Sequence, residues 1–145
     1  MIKKLELSQI DRVMNIWLES NVSAHDFIPR QYWDTNYEVV KQALPEATVY
    51  IYEDEHDVQG FIGIIDRSYI AGLFVTREAR SNGIGSRLIG VCKEECPRLE
   101  LHVYAKNVQA VSFYKKHGFT IIQQSMNADT GEAEYKMRWE REHEA

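Results

Sequence analysis

Arg80, Gly83 and Gly85 stand in the spacing RxxGxG within Ala71-Gly-Leu-Phe-Val-Thr-Arg-Glu-Ala-Arg-Ser-Asn-Gly-Ile-Gly-Ser86, and the chemistry open to that spacing is anion binding. An apolar strand, a turn and the first turn of a helix follow one another there. The opening N–H groups of a helix have no intrahelical acceptor, and the aligned peptide dipoles favour negative charge beside them. Glycine adds no side chain, so a phosphate chain can lie directly on the backbone of Ser81, Asn82, Gly83, Ile84, Gly85 and Ser86. The GxGxxG dinucleotide fingerprint is not met, because Leu88 holds the place of its third glycine, and no GxxxxGK[ST] loop is present. A GxG turn also serves simply to pack a helix close to a strand. The loop is expected to be the pyrophosphate seat of a cofactor.

A second group of reactive side chains follows. Leu99-Glu-Leu-His-Val-Tyr-Ala-Lys-Asn107 reads as a strand running into a helix cap, and Ala110, Phe113, Tyr114, Lys116, Gly118 and Phe119 come after it. Asn107 and Tyr114 are seven residues apart, nearly on one helix face and about 10 Å apart along the axis, so an extended chemical arm can touch both. Tyr114 offers a phenol, and His102 an imidazole, which is suited to exchanging protons near neutrality.

RxxGxG and NxxAxxFYxKxGF, each preceded by a strand, together resemble the GCN5-related N-acetyltransferase (GNAT) superfamily. His25-Asp-Phe-Ile-Pro and Leu44-Pro-Glu-Ala are similar to a subgroup of small bacterial acetyltransferases. The resemblance implies an α/β fold in one domain over residues 1–145. Its mixed central sheet would have about six to seven strands flanked by four helices, with a splay between two parallel central strands. It implies acetyl-CoA as cofactor, with the pyrophosphate on the 80–86 loop and the pantetheine bonded by backbone groups of Leu73, Phe74 and Val75. Arg80, Asn107, Ala110, Phe113 and Tyr114 would complete the cofactor site, and Lys116 and Arg87 would reach for the 3′-phosphate.

Acyl transfer from a thioester to an amine needs a base for the ammonium, a donor for the oxyanion and a proton for the departing thiolate. Tyr114 stands where the family pattern has its catalytic tyrosine and is read as the general acid. His102 is the first candidate base. It holds, within Leu-His-Val, the position that some ribosomal-protein N-terminal acetyltransferases fill with glutamate; His25 and water are the alternatives. The family's acceptor pocket points here to His25, Asp26, Phe27, Trp33, Tyr69 and Tyr104, with Asp26 able to attract an amine. A small-molecule amine, a peptide N terminus and a lysine all remain open as acceptors, and a non-catalytic acyl-CoA sensor or an interaction module is the competing reading.

These groups need elements to hold them. Ser8 followed by Asp11 marks a helix start, and Ile10, Val13, Met14 and Trp17 repeat at helical spacing. Trp33, Tyr37, Val40 and Leu44 form a second periodic run, stopped by Pro45. Strands are expected over 48–53 and 58–66, joined by a Glu55-His56-Asp57 turn, and over 69–75. A helix ending before Pro97 follows. Leu99, Leu101 and Val103 then share one face of a strand, and Glu100, His102 and Tyr104 the other. Because a helix separates the 69–75 and 99–104 strands, they should run parallel. Asn107 caps the last helix and Gly118 ends it. A closing hairpin over 119–125 and 134–139 turns at Asp129-Thr130-Gly131, and Glu140 to Glu144 form a solvated tail.

The formal charge of −5 argues against nucleic acid as a partner, since that footprint needs clustered positive charge. No stretch approaches the roughly 18 apolar residues of a membrane span, and the start lacks a signal-type apolar run, so a cytoplasmic protein with no membrane partner is expected. Cys92 and Cys96 lie four apart without a second ligand pair, which argues for two reduced buried thiols and no metal site. Monomer and homodimer are equally open, the last strand offering an edge to a second copy.

Overall fold

Short runs rich in β-branched and aromatic residues set most of the strands, with a clean alternation over Arg98–Tyr104, and the period-3.6 runs between them set the helices. The structure is a computed structural model that describes residues 1–55 and 57–142. In chain order it runs β1 (Ile2–Lys4), α1 (Ile10–Ala24), α2 (Arg30–Ala43), β2 (Thr48–Asp54), β3 (Asp57–Ile65), β4 (Tyr69–Val75), α3 (Ile84–Glu95), β5 (Arg98–Tyr104), α4 (Val108–Lys116), β6 (Thr120–Met126) and β7 (Ala133–Glu140). The strands form one mixed sheet in the order β1-β2-β3-β4-β5-β7-β6. Of its neighbouring pairs, β4 with β5 is parallel and the rest are antiparallel.

Each face of the sheet carries its own core. On one face Leu99, Leu101 and Val103 of β5 pack with Ile84, Leu88 and Cys92 of α3 and with Val111 and Tyr114 of α4. On the other face Val13, Met14 and Trp17 of α1 and Trp33 of α2 cover Val49, Ile51 and Phe61. The alternation within β5 is as expected, with Leu99, Leu101 and Val103 buried and His102 exposed on the opposite side.

The parallel strands part almost at once. Their register holds a single pair, Tyr69 with Glu100, next to the Glu100 N–H donating to the Ser68 carbonyl at 2.8 Å. On its other side β4 pairs Gly72 with Gly63 but Ile70 with Ile64, so Ala71 is an extra, bulged residue. A bulge bends its strand and raises its twist. It also explains why Ile70, Leu73 and Val75 all join the same core, although an unbroken period of two would send Ile70 and Leu73 to opposite faces. From Ala71 onward the β5-facing edge of β4 is unpaired.

Some local expectations shift. Strand β1 was not anticipated, because Ile-Lys-Lys is too short to show a period; it forms by pairing with Tyr50–Tyr52. The first helical turn begins at Leu7, ahead of Ser8, where the Glu6 N–H donates to the Gln9 Oε1 at 3.2 Å. The closing hairpin is organised by Asn127, whose Oδ1 accepts from the amides of Asp129 at 2.9 Å and Thr130 at 3.1 Å. The tail is less free than expected. Glu140 ends β7 opposite Arg98, and the Arg141 guanidinium donates to the carbonyls of Lys93 and Glu94 at 2.7 and 2.9 Å. His56 of the expected turn, and His143 and Glu144 of the tail, lie outside the described residues. Cys92 and Cys96 are buried and free; burial pushes the Cys92 thiol up to about 12, leaving no reactive thiolate near neutrality.

Candidate active site

The anion loop is built by backbone conformation. Thr76 is buried and tied to Gln59 by its amide at 2.8 Å and its hydroxyl at 3.0 Å, which anchors the exit from β4. After a turn of 3-10 helix over Arg77–Ala79 the chain is extended at Arg80, left-handed at Ser81 (φ 73°) and left-handed again at Gly83 (φ 76°). Gly83 then caps α3 without any side-chain bond to the helix amides, which leaves those donors for a ligand. Ile84, 4% exposed, plugs the helix into the core, so its share in an anion site is its amide alone.

The two glycines do different work. A Cβ at Gly85 would stand 3.2 Å from the Phe113 ring, whereas a Cβ at Gly83 would meet nothing within 4 Å. Gly85 therefore serves the close packing of α3 on α4, and Gly83 the left-handed backbone of an open cradle. Arg87 turns towards β2, its Nη1 donating to the Tyr52 hydroxyl at 3.2 Å, and Lys116 is exposed at the end of α4.

Where β4 and β5 part, a cleft opens in two adjoining recesses. One, about 220 Å³, runs towards the loop between Arg80, Val75, Gly85 and Phe113. The other, about 230 Å³, runs towards Trp33, His102, Tyr104 and Glu134. His25, Leu73, Phe74, Asn107, Ala110 and Tyr114 line both. Tyr114 thus stands at the junction. It is 8% exposed, set edge-on against Phe113 and Phe119. Burial, with a smaller effect of Tyr69, raises its phenol above the ordinary value of 10, so it is a proton donor across the neutral range.

Asn107 fixes a second junction group. Its Oδ1 accepts from the Ala110 N–H at 3.2 Å, as an N-cap side chain does. Its Nδ2 is thereby left to face the His25 Nε2 at 3.1 Å. A donor on that side makes Nε2 the acceptor, so the His25 proton sits on Nδ1, 3.1 Å from the Asn21 carbonyl. Burial lowers the pKa of this imidazole below 6.5. His25 is also stacked on Trp33 at 5.3 Å and met edge-on by Tyr104 at 5.1 Å and Phe27 at 5.7 Å. The result is a neutral brace between the end of α1 and the start of α4.

His102 pairs through its Nδ1 with the Tyr69 hydroxyl at 2.7 Å. Burial, and then the nearby Glu134 carboxylate, raise the Tyr69 phenol. Of the other residues expected at the acceptor, Trp33 and Tyr104 line the cleft, and Phe27 packs behind His25 and Tyr104. Asp26 is exposed and lines neither recess. Glu134, on β7 opposite Tyr104, was not singled out from the sequence. The alternation Glu134-Tyr-Lys-Met-Arg puts it on the face away from buried Met137, but only the β5–β7 register aims that face at the cleft.

A loop of left-handed turns beside a helix start, an unpaired strand edge and a phenol at their junction form one continuous groove. Residues 20–141 match the family model described as an acetyltransferase (GNAT) domain. The chain belongs to the GNAT acetyltransferases. A relative in this family, the peptidyl-lysine N-acetyltransferase YiaC of Escherichia coli (strain K12), is 31% identical over 140 residues, covering 96% of each chain. The solution structure of apo-form YjaB from Escherichia coli superposes with a TM-score of 0.83 at 26% identity, over 95% of both chains. An aminoglycoside 6′-N-acetyltransferase complexed with coenzyme A shares the GNAT fold, with a TM-score of 0.75 at 18% identity over 100% of this chain and 99% of that one. As a GNAT acetyltransferase the protein is an N-acetyltransferase that uses acetyl-CoA. Its groove fits that molecule, since the glycine cradle is open and the β4 edge has free backbone groups. Among the described residues no helix is long and apolar enough to cross a membrane.

Proposed function

We propose that the acceptor is the side-chain amine of a lysine in a peptide or protein, with Tyr114 as general acid and the His102–Tyr69 pair as base. The observation that carries this reading is the position of Tyr114 at the junction of the two recesses. The aromatic walls of the second recess suit the four-carbon stem of lysine, which packs its methylenes on apolar surface while its charge stays at a polar end. The names of the YiaC and YjaB relatives, peptidyl-lysine N-acetyltransferases, support the same class of acceptor.

Acetyl-CoA supplies an acyl group on a good leaving group. The amides of 81–86 and the Arg80 side chain would hold its pyrophosphate, and the free edge of Leu73–Val75 its pantetheine. His102 and Tyr69 take one proton from the lysine ammonium. Either His102 tautomer serves, with Nε2 accepting directly when Nδ1–H donates to Tyr69, or with Tyr69 accepting while it passes its own proton to Nδ1. Tyr114 gives its proton to the sulfur as the C–S bond breaks and regains one from the nitrogen that has formed the C–N bond. One proton is released per acetyl group moved.

Two buried free thiols fit a reducing compartment such as the cytoplasm as the place of action. The test is acetyl transfer to an end-blocked peptide with a single lysine, compared with a free peptide N terminus and a panel of small amines. Thiol release and mass of the product are read together. Preference for the blocked lysine peptide is expected, and transfer confined to small amines would reject the acceptor class.

A further inference from the structure

We propose that Glu134 is the acceptor-recognition residue, holding the incoming ammonium at the mouth of the aromatic recess and delivering it to His102. This rests on reading that recess as the acceptor side. Four observations support it. Glu134 lines the recess. In the β5–β7 register it lies opposite Tyr104 while His102 lies opposite Lys136, so Glu134 and His102 are diagonal cross-strand neighbours, a relation that spans about 7–8 Å. Its charge reaches Tyr104 in the lining and Tyr69 beside His102, for after burial, the larger cause, it adds to the rise of both phenols. Finally, among the described residues no cation is ion-paired with it.

The contrast with its neighbours is informative. Glu100 is held by Arg138 at 2.7 Å, and Glu132 by Lys106 at 2.9 Å. Among the described residues no Lys, Arg or His is ion-paired with Glu134; its hydrogen bond is a long one, 3.4 Å, from the Asn127 amide. A half-buried carboxylate beside aromatic rings, in a cleft and with spare acceptor capacity, has the chemistry of an ammonium receptor. The separation from His102 then divides the work. Glu134 favours the charged amine and brings it in, and the imidazole takes the proton once the nitrogen moves inward.

The experiment compares the full-length wild type with Glu134→Gln, using thiol release with the end-blocked lysine peptide as acceptor. In Glu134→Gln, kcat/KM is expected to fall about 10- to 100-fold, chiefly through KM, the span for losing one hydrogen bond to a charged group. The affinity for acetyl-CoA by calorimetry and the Tm are expected to stay unchanged. Wild-type kcat/KM should decline as salt rises, and Glu134→Gln should show a flatter dependence. Glu134→Asp should recover part of the loss, while Glu132→Gln, which breaks only the Lys106 pair, should leave kcat/KM as it was. Unchanged kcat/KM in Glu134→Gln overturns the proposal alone. An equal loss of acetyl-CoA affinity overturns it too, by marking the role as structural. A wild type that acetylates no amine at all overturns the catalytic reading and this proposal with it.

Discussion

In the proposed reaction Tyr114 is the residue on which the chemistry turns. Its phenol is buried, raised in pKa and placed where both recesses meet. Tyr114→Phe keeps the ring packing on Phe119 and loses only the proton. Turnover is expected to drop on the order of a hundredfold, with acetyl-CoA affinity by calorimetry unchanged; undiminished turnover would remove Tyr114 from the reaction. His102 is a candidate base by its place within Leu-His-Val, and the fold gives it a partner, Tyr69, that no spacing announces. The acid limb of the kcat/KM profile is expected to vanish in His102→Gln. Its persistence would place the base elsewhere. His25, the alternative base, has both ring nitrogens engaged by Asn21 and Asn107, so its pull is on geometry: it holds the cap of α4 against α1.

At the scale of elements, the groove depends on a strand that bends and a helix that starts sharply. The bulge at Ala71 separates β4 from β5 after a single bridged pair, and left-handed residues turn the chain into α3. Gly83→Ala puts a Cβ on a left-handed residue in open space. About 1–2 kcal/mol of stability should be lost in urea unfolding, with little change in helix packing. Gly85→Val instead drives a branched side chain against Phe113. It should weaken acetyl-CoA binding in calorimetry more than Gly83→Ala does, and the opposite ranking would show that the loop conformation, not the α3–α4 contact, limits the site. The RxxGxG spacing made the loop recognisable, yet it did not separate these two roles. That distinction depends on Phe113, 28 residues further along the chain from Gly85.

Across the whole molecule, two neutral imidazoles tie acid stability to the groove. Burial lowers the pKa of both His25 and His117 below 6.5, and each bridges elements, His117 through Ser86 of α3 at 3.0 Å. The sign follows from proton uptake. Well above pH 6.5 both are neutral folded and unfolded and contribute no pH dependence. As pH falls through 6.5 the unfolded chain binds protons that the folded chain refuses, so stability is lost in that direction. Protonation of His25 would also set its Nε2–H against the Asn107 amide hydrogens, two donors facing each other. Urea midpoints are expected to fall between pH 7.5 and 5.5 (about one unit either side of the ordinary histidine value), and to fall less in His25→Gln. Equal slopes in the two proteins would contradict the burial argument.

Elements and motifs were readable from the chain because they depend on neighbours within a few residues. A period-two run marked β5 and an apolar run β4, Asn107 marked the cap of α4, and the two motifs marked the family. What lay beyond reach depends on pairings between distant segments. The short β1 exists only through Tyr50–Tyr52, the bulged Ala71 only through β3, and the aim of Glu134 only through the register of β7 on β5. A strand's sequence says which residues share a face. Which cavity that face looks into is decided when the sheet closes, since hydrogen-bond register across the chain is a tertiary property.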